Sequence, residues 1–168
     1  MEMLTARVQL QRVEELLAEF TRDDGEMRPL APYQAQHLAM LAMLRSVGHV
    51  LDKVDADTPA RKRWLDERWS CWKREPIFRE FIDFERNRLL KEFRGGIDPR
   101  HPAIVAKAAV ADPLYPAGAS LVVAVDVGQL QAADGTDFLD RLREAIAYWG
   151  RNVAEAEAGF ARLEQPSG

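Results

Sequence analysis

Glu85, Arg86 and Asn87 are the residues whose types and spacing could do chemistry. They lie within 76–94, PIFREFIDFERNRLLKEFR. At ~100° per residue this segment reads as one amphipathic helix with Ile77, Phe78, Phe81, Phe84 and Leu89 spread over a broad apolar face. Glu85 falls near the middle of that face. A carboxylate in an apolar stripe is costly unless paired, so the rest of the fold must supply a cation or hydrogen-bond donors. Arg45, His49 and Asp52 recur at i, i+4 and i+7 along the edge of another apolar helix. They are the expected partners, and with Glu85 they make a buried polar network that ties the helices together.

Other residues carry less. His37 and His49 are twelve apart on one helix, about 120° around it, and cannot share a metal without outside ligands. Asp52, Asp55 and Asp57 lack the twelve-residue calcium-loop pattern and read as a solvated helix end. The single cysteine, Cys71, permits no disulfide framework and no cysteine zinc site within one chain, and reads as a buried thiol between Trp69 and Trp72. Gly95-Gly96 follows a helix instead of opening one, the wrong end for an anion. No metal and no cofactor is expected.

The positioning elements are mostly helices. Leu4–Phe20 has apolar residues at helical spacing, and Pro32 opens a second, very apolar helix to about Val54, with Tyr33, Met40, Leu44, Val47, Leu51 and Val54 on one face. Thr58 or Asp57 caps a third helix with Pro59 at its first position, running to about Arg74. Its Trp64, Trp69 and Trp72 stand among basic residues and fit either core packing or stacking on bases. After 76–94, Val-rich Leu121–Val127 reads as a strand, while Ile104–Ala111 fits strand or helix, and a small hairpin about 103–128 is the simplest closure. In the last helix, to about Leu163, Leu139, Leu142, Ile146, Trp149, Val153, Ala156, Phe160 and Leu163 alternate three and four apart, a seam for the bundle or for a second copy. The fold class is therefore mainly α: a single domain over 1–164, a four- to five-helix bundle with a small β-hairpin before its last long helix and a frayed end at 165–168. Net charge is -4 over 168 residues, but 61–107 holds 13 Lys and Arg against 8 Asp and Glu, and the remainder 10 against 19. Such asymmetry marks either a polyanion-facing surface, with Arg61, Lys62, Arg63, Lys91 and Arg94 as phosphate contacts, or solvated helix flanks. With no signal-peptide pattern and no membrane-length apolar run, a cytoplasmic protein with no membrane contact is expected.

The order of these features, an apolar helix, a Trp-rich linker helix, an amphipathic helix carrying Arg86-Asn87 and a closing helix, is similar to the HEPN superfamily of helical-bundle proteins. It spans Leu38 to Arg94 and the last helix. Many members are ribonucleases of bacterial toxin and defence systems, with a motif of Arg, a polar residue often Asn, and a following His, brought together from two chains. Here Arg88-Leu89-Leu90-Lys91-Glu92-Phe93 follows Arg86-Asn87 and holds no histidine. The nearest substitute is His101, beyond Arg94 on a Gly- and Pro-rich loop, or Lys91 in the histidine's place as a phosphate contact. The resemblance thus implies a non-catalytic accessory protein of a defence, toxin–antitoxin or mobile-element system, contacting RNA or a partner protein through its basic middle. The alternatives are an active metal-independent ribonuclease using Arg86, Asn87 and His101, and a structural homodimer built on the 138–163 helix.

Overall fold

In a computed structural model, residues 3–22, 30–91, 104–108, 121–125, 131–132 and 134–164 are described. The chain is mainly helical. It runs α1 (Thr5–Phe20), α2 (Leu30–Val50), α3 (Pro59–Trp72), α4 (Phe84–Lys91), strands β1 (Ile104–Ala108) and β2 (Leu121–Val125), and α5 (Phe138–Leu163). Two wide π-helical stretches interrupt this pattern: Leu51–Asp55 continues α2, and Ile77–Asp83 leads into α4. β1 and β2 pair antiparallel, Ile104 opposite Val125 and Ala108 opposite Leu121. The residues that would join them in the expected hairpin lie outside the described set, as do Arg94 and His101.

The helix boundaries follow local chemistry. Thr58 accepts a hydrogen bond from the Arg61 backbone N–H at 3.2 Å, with Pro59 in the first turn of α3. Asp137 caps α5 by accepting from the Asp140 N–H at 2.8 Å. α1 has no cap of its own, since Leu4 precedes it; instead the Thr5 and Ala6 N–H groups donate to Asp55 Oδ1 and Oδ2, each at 2.8 Å. Asp55 is therefore buried, not part of a solvated helix end as its sequence neighbours suggested. The reason is the positive end of the α1 dipole, which needs an anion that Leu4 cannot provide. Replacing Asp55 by Ala strands two buried donors and is expected to cost about 2 kcal/mol in urea unfolding. Asp66→Ala, which breaks only the exposed pair to Lys62, is expected to cost less than about 0.5 kcal/mol.

The core collects Leu10 and Val13 of α1, Met40, Leu44 and Val47 of α2, Leu65 and Trp72 of α3, Phe78 and Phe81 of the second π stretch, and the inner face of α5. The α5 seam faces inward: Leu142, Trp149, Val153 and Ala156 are fully buried and Phe160 nearly so. Within the protomer most of this face of 138–163 is therefore already covered, with Leu139 and Ile146 partly buried and Leu163 exposed. Trp69 packs over Gly48 and beside Trp149, its ring centroid 6.2 Å away, and Trp64 packs over Gly159 and 5.5 Å from Phe160. The tryptophans of α3 thus pack on the core, Trp72 buried and Trp64 and Trp69 in part. Cys71, expected to be buried between them, is exposed, because α3 turns Trp72 inward and the position before it outward.

The π stretches explain two further departures. A π turn closes i→i+5 and takes up an extra residue, which rotates everything after it relative to an α-helical count. Val54, counted on the apolar face of α2, is half exposed, and Phe84, counted on the apolar face of 76–94, is 49% exposed.

Candidate polar site between α2 and α4

The second π stretch ends at Asp83, which faces α2. Asp83 Oδ1 accepts from Arg45 Nε at 3.1 Å, and Oδ2 accepts from Asn87 Nδ2 at 3.2 Å. The Asn87 carbonyl in turn accepts from Arg86 Nη1 at 2.9 Å. These bonds make one chain, Arg45–Asp83–Asn87–Arg86, in which the Asn87 amide fixes one guanidinium relative to the other. Asp83 and Asn87 are i and i+4 and share a side of the helix, whereas Glu85 is about 200° round from Asp83. That is why Arg45 pairs with Asp83 and not with Glu85, the partner expected from sequence. Glu85 is buried and lies 3.9 Å from Arg88, within its own helix.

His49, one turn beyond Arg45 on α2, belongs to the same neighbourhood. Its imidazole is held below its ordinary value of 6.5, first by partial burial and then by the positive charges of Arg45, Arg86 and Lys53. His49 is exposed and not a member of a buried network, and the same partial desolvation and neighbouring positive charges disfavour its protonated form. Asp52, the last member of the expected buried network, pairs with Lys53 at 2.9 Å and with Lys62. It takes part in a surface ion-pair cluster and not in the Glu85 environment.

The electrostatics favour an anion. Arg45 Nη1 is buried with no hydrogen-bond acceptor, its guanidinium 5.3 Å from the Phe78 ring centroid. Among the described residues Arg86 makes no ion pair, and it is linked to the Asp83 carboxylate through the Asn87 side-chain amide. Arg45 is enclosed and its Nε is held by Asp83, so of the two guanidiniums the half-buried Arg86 is the one nearer to solvent.

The basic residues of α3 are placed differently. Arg61 is held by Asp57, Glu164 and the Asp55 carbonyl, Lys62 by Asp52 and Asp66, and Arg68 by Glu155. Arg61 and Lys62, expected as phosphate contacts, thus work within the protein, while Arg63 and Lys91 are exposed. Among the described residues no three His, Cys, Asp or Glu side chains are grouped to hold a metal ion. An open groove of about 390 Å³ between α1 and α5, lined by Glu14, Leu17, Ala18, Thr21, Arg143, Ile146 and Ala147, shares no residue with the polar site. No helix among the described residues is long and apolar enough to cross a membrane.

Sequence reasoning placed Arg45, His49, Arg86 and Asn87 among its candidates but missed Asp83, the residue that joins them. The available signal was its spacing, four residues before Asn87 on the same helical side. No protein-family model matches this chain, and no curated protein or solved structure matches it either.

Proposed function

We propose that this chain is a HEPN-like, non-catalytic binding protein that holds RNA by its phosphates at the α2–α4 face. The observation that supports this reading is the chain of hydrogen bonds from Arg45 through Asp83 and Asn87, which fixes the half-buried Arg86 guanidinium, with His49 in the same neighbourhood. With Arg61 and Lys62 engaged internally, the contact surface shifts from α3 to α4. The test is RNA binding by fluorescence anisotropy across a salt series. Arg86→Ala is expected to weaken binding about tenfold and to reduce the salt slope by about one. RNA affinity that Arg86→Ala leaves unchanged would sink the reading.

The position of His49 favours a second reading, the active metal-independent ribonuclease. A neutral imidazole near guanidiniums is in the protonation state that a general base for a 2′-hydroxyl requires. RNA cleavage that His49→Ala abolishes, with binding retained, would select this reading over the first.

A further inference from the structure

The second π stretch leaves the start of α4 in a costly arrangement. Glu85 is buried, while Phe84 beside it is half exposed. Arg45 Nη1 is buried with no acceptor, although Asp83 holds its Nε. A wetted aromatic ring, an enclosed carboxylate and an unsatisfied donor each cost free energy, and all three lie where Ile77–Asp83 delivers the chain into α4. The stretch takes up one residue more than an α-helix would. Closing it into ordinary α-helical turns would rotate α4 by about 100°, the angle of one residue, and carry each of its residues to the place its successor now holds. Phe84 would enter the buried place of Glu85, and Asp83 would move to the exposed place of Phe84. Glu85 would take the place of Arg86, whose charge acts on His49 one turn from Arg45. Arg45 would thus exchange one carboxylate for another. The exposed Arg79 and Glu80, on the stretch itself, pair with each other and take no part in the exchange.

We propose that α4 has two registers one residue apart, with Ile77–Asp83 as the hinge between them. The register in the structure is held by Asp83 on Arg45. The other is held by Phe84 in the core and Glu85 toward Arg45. Two packings of one segment lie close in free energy when each satisfies what the other leaves unsatisfied. The shift parts Asp83 from Arg45 and so takes Asn87 and Arg86 off the chain of bonds to α2. The register therefore decides whether the polar site is assembled, whatever that site binds.

The test places a single fluorophenylalanine at position 84 of the full chain. Fluorine NMR then reads the line broadening caused by a soluble gadolinium chelate, which reaches exposed rings and not buried ones. Asp83→Ala removes the carboxylate that holds the present register, and the broadening is expected to fall about threefold from the wild-type value as the population moves to the other register. A second readout follows the backbone. Couplings through the hydrogen bonds of 77–83 are expected to move from carbonyls five residues back, as in a π-helix, to carbonyls four back, as in an α-helix. Broadening that is equal in the two proteins, or greater in the variant, overturns the proposal. So does a ring shielded in Asp83→Ala while the couplings stay as they were, because the ring has then folded over without the helix turning. Circular dichroism checks the fold, and an unfolded Asp83→Ala also overturns the proposal, since a chain with a second register has a folded state to fall into.

Discussion

Taking the protein from pH 6.5 to pH 4 is expected to remove about 3 kcal/mol of folding stability through His37. His37 lies on α2, 6% exposed, edge-on to Phe138 at 4.3 Å between ring centroids, and its Nε2 has no hydrogen-bond partner. Burial alone pushes the imidazole down to about 4 from an ordinary 6.5. Between those values the unfolded chain holds a proton that the folded chain refuses, so stability falls as the pH falls. Near pH 7 both states are largely neutral there and the effect vanishes. Urea unfolding at a series of pH values measures it, with His37→Leu as the control whose slope across this window should be much flatter. His49 acts in the same direction but is exposed and contributes less. A His37→Leu variant as acid-sensitive as the wild type would show that another group carries the dependence.

The second large effect comes from Gly48. A methyl group there would lie 2.7 Å from Trp149 Cη2 and 2.9 Å from Trp69 Cζ3, and nearer still to Trp69 Cη2. Trp149 is fully buried and cannot retreat, so Gly48→Ala forces the two indoles apart and is expected to cost about 3 kcal/mol. Gly150→Ala provides the contrast, because nothing lies within 4 Å of its added methyl. It replaces a helix-interior glycine and is expected to gain up to about 1 kcal/mol. Comparing the two unfolding midpoints separates steric overlap from helix propensity. A Gly48→Ala variant as stable as the wild type would mean that Trp69 has somewhere else to go.

Much of the helical layout was legible in the sequence. The three-and-four alternation in α5 placed its buried face correctly, and Thr58-Pro59 marked the start of α3. The π stretches were not legible, since no residue type signals an i→i+5 turn, and Val54 and Phe84 were assigned to the wrong side for that reason. Asp55 could not be read as a cap either: its donors are about fifty residues away, and capping patterns are local. At the polar site, the candidates on each helix were visible as types, but their pairing was not. Which carboxylate meets Arg45 depends on the rotation of α4, and the π stretch before it sets that rotation. The placement of His49 near Arg86 is likewise a product of packing between helices far apart in the chain.

α5 supplies a counterpart to nearly every other helix. Glu157 holds Arg7 of α1, Glu155 receives Arg68 and the Trp72 indole of α3, Gly159 seats Trp64, and Trp149 backs Gly48 of α2. During synthesis the ribosome delivers α1 to α4 well before this helix. Over that interval the apolar faces of the earlier helices have no lid, and Trp64 and Trp69 lack the walls they pack against. The nascent chain is therefore most prone to sticking to itself or to its neighbours just before its last helix emerges, and a chaperone that covers tryptophan-rich surface would act on it then.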